Sequence, residues 1–268
     1  MNILVCIKQV PDTTEIKIDP EKHTLIRDGV PSIVNTFDTY GLEMACRLKE
    51  ETGGTVTVMT MGLPQAKNAL RSCLGAGADE AVLISDRPFG GSDTLATSYI
   101  ISQAAALLEK EKGSAFNLIL CGKQAIDGDT AQVGPELSEH LGRPLITYVS
   151  ELKYENGEFE AKRENDDGYD RIGVKGPCVM TVVKTAYEPR YPTLKAKIKA
   201  QWADIRTITA ETMKDILDLS RCGLKGSPTK VVRTATPQRQ SRCQYIKEAS
   251  PALNAEKLAD ILARTKVI

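Results

Sequence analysis

The run Gly122-Lys123-Gln124-Ala125-Ile126-Asp127-Gly128-Asp129-Thr130-Ala131-Gln132-Val133-Gly134 carries the residue pattern of this chain best suited to a phosphorylated ligand. It leaves an apolar strand, Leu118-Ile119-Leu120-Cys121, and is expected to open a helix near Thr130. Backbone N–H groups at a helix start lack intrahelical partners and carry partial positive charge, so they suit a phosphate or pyrophosphate. Gly122, Gly128 and Gly134 have no Cβ and let the backbone lie close to a ligand, with Gly128 expected to take a positive φ. Neither G-x-G-x-x-G nor G-x-x-x-x-G-K-[ST] occurs in the run. A capped strand-to-helix turn with no ligand is the plain alternative.

Other strand-end positions can converge with this loop, because ligands of a doubly wound sheet lie beyond the carboxyl ends of its strands. Cys6 and Lys8, Met61, and the Gly90-Gly91-Ser92-Asp93-Thr94 turn stand at such ends, with Thr94 and Thr97 offering hydroxyls to the cleft. The Gly-Gly turn is superficially similar to a loop of ATP-cleaving enzymes. In those it follows the first strand, and here it follows the third. Ser92 or Asp93 is better read as the N-cap of the next helix. No nucleophile has a base beside it, and His23 and His140 lie in no motif, so no catalytic residue is assigned. Cofactor chemistry, in which the protein binds and orients a reactive group, fits better.

The elements that position these residues alternate. Strands are expected over residues 3–7, 55–61, 81–84 and 118–121, and helices over 38–49, 64–74 and 93–112. Strand-helix alternation implies a mainly parallel sheet covered on both faces, a doubly wound α/β fold. Residues 149–162 then read as a β-hairpin about Glu155-Asn156-Gly157, since Asn-Gly favours a tight turn. A strand over 177–183 follows, and a last helix over 255–264. A nucleotide-binding α/β domain over 1–184 is therefore expected, followed by a C-terminal arm over 185–268 that needs a partner surface to be ordered.

Composition narrows the partners. Lys plus Arg and Asp plus Glu both number 35, and this formal neutrality argues against nucleic acid as a partner. The compact basic stretch Lys195-Ala196-Lys197-Ile198-Lys199 reads as a solvated face. Cys6, Cys46, Cys73, Cys121, Cys178, Cys222 and Cys243 form no C-x-x-C, and two histidines make no cluster, so no metal site is expected. The chain shows neither a signal-type leader nor an apolar run of membrane-spanning length, and a reducing bacterial-type cytoplasm is its simplest home.

The loop Gly122–Gly134 resembles the nucleotide-binding loop of electron-transferring flavoprotein beta subunits. The first strand through Asp12 is similar to that family's, and Asn35-Thr36-Phe37-Asp38 resembles its second nucleotide contact. Residues 161–181 follow the family signature, except that Asp170 stands where Glu or Gln is usual. Glu188-Pro189-Arg190-Tyr191-Pro192-Thr193-Leu194 resembles the loop that docks an acyl-CoA dehydrogenase, with Glu188, Arg190, Tyr191 and Leu194 as docking residues. Leu194, apolar between polar neighbours, is expected to be covered by that partner.

The resemblance implies a Rossmann-like, adenine-nucleotide-binding fold and a heterodimer with an FAD-bearing alpha subunit. "DGDTAQVGP" and "GGSDTLATS" are most like the electron-bifurcating branch of anaerobic bacteria. There the beta subunit binds its own FAD and takes a hydride from NADH. It sends one electron to ferredoxin or flavodoxin and the other, through the alpha FAD, to an acyl-CoA dehydrogenase. A conventional beta subunit holding structural AMP is the alternative, and an ATP-binding stress or signalling module is a third.

Overall fold

Strand β1 (Asn2–Cys6) is Asn-Ile-Leu-Val-Cys, and its side chains alternate between two helix-covered faces of one sheet. The structure, a computed structural model, describes residues 1–12, 31–232 and 243–268; His23 lies outside them. A small antiparallel pair, β2 (Gln9–Pro11) and β3 (Ser32–Val34), leads into helix α1 (Thr36–Thr52). Then come β4 (Thr55–Met61), α2 (Lys67–Gly75), β5 (Glu80–Ile84), α3 (Thr94–Lys112) and β6 (Leu118–Gly122). After these follow α4 (Val133–Leu141), β7 (Leu145–Glu155), β8 (Glu158–Asn165), β9 (Gly168–Lys175) and β10 (Cys178–Val182). Helix α5 (Leu194–Gln201), β11 (Arg206–Ile208), α6 (Gly223–Gly226) and α7 (Pro251–Arg264) complete the order.

The strands lie in the order β11-β5-β4-β1-β6-β10-β7-β8-β9, parallel from β11 to β7 and antiparallel at β8 and β9. This is the expected doubly wound α/β sheet. Ile3, Val5, Leu118 and Leu120 pack on the face of α1 and α2. Leu4, Cys6, Ile119 and Cys121 pack on the face of α3 and α4. Burial on both faces explains why these strands read as continuous apolar runs. Because the chain leaves β1 to one side and returns to β6 on the other, a crevice opens beyond the ends of β1 and β6.

The hairpin turn stands where expected, with Asn156 at φ 52° and Gly157 at φ 83°. Strand β9 was not expected. It is a largely exposed edge strand in which only Ile172 and Val174 are partly buried against the core, too short an alternation to mark the strand in the sequence. Helix α5 was not expected either, because almost none of its surface is buried. It is capped by Thr193, whose hydroxyl accepts from Ala196 N–H at 3.2 Å.

Two compact units result, Met1–Val232 and Arg233–Ile268. Residues 185–232, expected to belong to an arm, place α5, β11 and α6 in the first unit. Here β11 extends the sheet beside β5, and Ala200 of α5 and Pro192 stand over Gly75 of α2. The second unit carries α7, capped by Ser250 and with no residue buried along its length. No helix among the described residues is long and apolar enough to cross a membrane.

Candidate functional site

Beyond the ends of β1 and β6 lies a cleft of about 490 Å³, a size typical of small-molecule sites. Among the residues expected at a ligand, Cys6, Lys8, Asn35, Asp38, Met61, Asp93, Thr94 and Thr97 line it. So does the whole 122–134 loop except Ile126, Asp127 and Asp129. Thr36 and Phe37 do not.

Asn35 and Asp38 act on the loop from behind. Asp38, 5% exposed, accepts from Lys8 N–H (2.7 Å), Gly122 N–H (3.0 Å) and Asn35 Nδ2 (3.0 Å), tying together the ends of β1, β6 and α1. Burial pushes its carboxyl up to about 7, although these three donors and the Lys8 charge pull the other way. Asn35 also donates to Gln124 O and accepts from Ile126 N–H, which pins the loop at two points. Their sequence resemblance to a nucleotide contact thus marks loop supports, whose polar atoms are largely spent within the protein. Lys8 Nζ reaches Asp127 Oδ1 at 2.6 Å and ties strand to loop again.

The three loop glycines play three different parts. A Cβ on Gly122 would overlap Asp38, and one on Gly134 would overlap Thr181, so both are required by packing inside the protein. Gly128 faces open space, with nothing within 4 Å of an added Cβ, and its φ is not positive. The left-handed positions are Asp129 (φ 52°) and Ala131 (φ 53°). Backbone in that region cannot continue into a helix, and α4 accordingly begins at Val133 instead of Thr130. Strain of this kind in a non-glycine loop is a feature of ligand-holding segments.

The N–H groups of Gly128 and Asp129 turn inward to Ala125 O. Those of Thr130, Ala131, Gln132, Val133 and Gly134 find no acceptor among the described residues, and all five residues line the cleft. This row of free donors at the start of α4 is the chemistry a phosphate or pyrophosphate requires.

Across the cleft, Asp93 caps α3, accepting from Ala96 N–H at 3.0 Å as expected. Its other oxygen accepts from Thr229 N–H (3.0 Å) and Thr229 Oγ1 (2.7 Å), while its own N–H donates to Ser227 Oγ. Burial opposes its ionisation, but the bonds from Ala96 and Thr229 outweigh it and hold the carboxyl below the usual range. Asp93 therefore fastens residues 227–229 to the rim, a pairing across more than a hundred residues that no local pattern announces. Thr94 Oγ1 lies 3.1 Å from Gln132 Oε1 and 3.2 Å from Glu136 Oε1, joining α3 to α4 at the mouth.

The segment from Glu188 to Leu194 splits into anchors and exposed groups. Arg190 donates to Glu43 from N, Nε and Nη2, and also pairs with Glu50. Glu43 is 3% exposed; burial resists its charge, but Arg190 and Arg47 hold it ionised. Glu188 is exposed and takes a long 3.4 Å bond from Tyr40 Oη. Tyr191 and Leu194 project outward, 95% and 76% exposed. Ile198 and Trp202, which the sequence did not single out, continue that apolar exposure along α5.

Cys6, Cys46, Cys73, Cys121, Cys178 and Cys222 are buried and unbridged, packing as small apolar side chains. Burial raises the thiols of Cys46 and Cys178 to about 11 and about 12.

Residues 22–213 match the electron transfer flavoprotein domain. The chain is 49% identical over 243 residues to the electron transfer flavoprotein subunit beta of Megasphaera elsdenii, covering 90% of this chain and 89% of that one. It is 48% identical over 239 residues to the caffeyl-CoA reductase-Etf complex subunit CarD of Acetobacterium woodii, with 88% of each chain covered. It is 42% identical to the acryloyl-CoA reductase electron transfer subunit gamma of Anaerotignum propionicum over the full length of both. With the α/β sheet, the donor-lined cleft and nearly full-length likeness in agreement, this chain belongs to the electron transfer flavoprotein family, as a beta subunit.

Proposed function

We propose that this beta subunit binds FAD in the cleft and takes a hydride from NADH. It then divides the electron pair between ferredoxin or flavodoxin and, through the FAD of an alpha subunit, an acyl-CoA dehydrogenase. The observation that carries the reading is the geometry of the loop. Free N–H donors from Thr130 to Gly134 offer a phosphate cradle, and open space at Gly128 lets a ligand continue past it. An AMP would use the cradle alone. The names of two relatives support the choice, one being a subunit of a caffeyl-CoA reductase-Etf complex and the other an acryloyl-CoA reductase electron transfer subunit. When bound, FAD supplies the exchange between two-electron and one-electron chemistry.

The chain's own residues do the holding. Asn35 and Asp38 brace the loop, Lys8 and Asp127 close its base, and Asp93 fastens the 227–229 rim. Thr94 and Thr97 present hydroxyl-bearing side chains to the opposite wall. Leu194 and Tyr191 meet the dehydrogenase, α7 and its approaches wrap the alpha subunit, and the complex works in the cytoplasm. The visible absorption spectrum of the purified heterodimer, with released nucleotides identified by chromatography, tests the assignment. Two FAD per heterodimer are expected. One FAD with one AMP would replace this reading with the conventional one.

A further inference from the structure

Helix α3 stands between the cleft and a second hollow. Thr94 and Thr97 line the former, while Leu95 and Tyr99 line the latter together with Ser220, Arg221 and residues 225–228 of the turn that follows. This hollow holds about 400 Å³, room for more than a free phosphate ion. Arg221 and Lys225 stand on its wall and no carboxylate does, although acids and bases balance over the whole chain. The Arg221 guanidinium lies 3.8 Å from the centre of the Tyr99 ring, a stacking that leaves its edge donors available. Asp218, outside the wall, commits Oδ1 to the N–H and hydroxyl of Ser220. His140 meets the same ring edge-on, and burial, with the charge of Arg221 second, keeps it below its ordinary pKa.

The turn that forms the hollow is held in place. Gly223 has φ 61° and lies against Pro88, and Leu224 sits over Gly91, so that a Cβ there would come within 2.7 Å. Ser227 Oγ accepts from Asp93 N–H at 2.8 Å, which makes this strap the common wall of hollow and cleft. Leu95 and Pro228 add an apolar surface beside the two cations.

We propose that the hollow seats the phosphate-bearing, adenine-side half of the pyridine nucleotide, with Arg221 and Lys225 pairing with its phosphate oxygens. This rests on the NADH reading above and assigns that substrate a place distinct from the cofactor cradle at Thr130–Gly134. A hydride donor held there can bring its other end over the Asp93–Ser227 strap into the cleft.

The test is calorimetric titration of ADP-ribose, and separately of inorganic phosphate, into the cofactor-loaded complex with the alpha subunit. Wild type, Arg221→Gln and Lys225→Glu are compared. Arg221→Gln is expected to weaken ADP-ribose about tenfold, the loss of one charge-assisted bond, Lys225→Glu by more than that because it also sets a carboxylate against the phosphates, and both to raise KM for NADH in parallel. Inorganic phosphate is expected to bind far more weakly than ADP-ribose. Unchanged ADP-ribose affinity in both variants overturns the proposal, and phosphate binding as tight as ADP-ribose overturns the dinucleotide in favour of a free-anion site. Lys225 is exposed, so its variant decides the question even if loss of the Arg221 stack lowers the melting temperature. A complex that binds ADP-ribose through these two residues yet never oxidises NADH refutes the hydride reading and keeps the site. One that oxidises NADH with unchanged KM in both variants refutes the site and keeps the reading.

Discussion

Asp38 concentrates the energetics of the cleft in one carboxyl. Its pKa is raised to about 7 by burial, against 3.8 in an unfolded chain, so between these values the folded state binds the proton more tightly. Stability contributed by Asp38 is therefore present below about pH 4 and is lost as pH rises through about 7. In Asp38→Asn the amide keeps one acceptor, but its NH2 faces the Lys8 N–H donor, a mismatch costing about 1–3 kcal/mol. Melting curves from pH 5 to pH 8 should show the wild type's advantage over Asp38→Asn shrinking as pH rises; an advantage that grows would mean burial does not dominate. The glycines give a second contrast. Gly122→Ala drives a methyl into Asp38 and should cost about 3 kcal/mol. Gly128→Ala meets nothing and should leave stability within about 0.5 kcal/mol while weakening the bound nucleotide. Equal melting temperatures for the two variants would contradict this division.

The segment ending in α5 is built like a bracket. Arg190 fixes it to α1 through the buried Glu43, and Tyr191, Leu194, Ile198 and Trp202 face outward beyond that fixing point. Arg190→Ala leaves Glu43 with Arg47 as its remaining cation and is expected to lower stability by about 3 kcal/mol. Leu194→Ala should leave the melting temperature alone and weaken electron delivery to the dehydrogenase by about 1–3 kcal/mol. The check is steady-state transfer alongside thermal melting of both variants. A Leu194→Ala protein that melts early would show that the side chain serves the fold, not docking.

The molecule divides into units with different needs. Met1–Val232 contains the sheet, the cleft and the second hollow, whereas Arg233–Ile268 contributes α7, an amphipathic helix with Leu253 and Leu258 exposed. An apolar stripe without cover has a purpose outside its own unit. A chain ending at Val232 is expected to keep the melting temperature of the first unit and to lose association with the alpha subunit, as read by size-exclusion chromatography. Retained heterodimer would move the subunit contact onto the first unit.

Much of this was legible along the chain. Parallel strands buried on both faces are built of apolar and β-branched residues, so residues 3–7 and 118–121, and the Thr/Val/Met run 55–61, announced the sheet, and Asn156-Gly157 announced its hairpin. The Gly122–Gly134 run announced the cleft because phosphate chemistry needs local backbone donors, and locality is what a sequence records. Exposed elements gave no such sign: β9 and α5 bury too little to impose a period. Nor did pairings between distant positions. That Asn35 and Asp38 brace the loop, that Gly122 and Gly134 yield space to Asp38 and Thr181, and that Asp93 clasps Thr229 are consequences of which strand ends the fold brings together. Arg221 and Lys225 likewise look like two unrelated charges until α3 and the turn at Gly223 bring them to one hollow, because a field depends on distance in space and not along the chain.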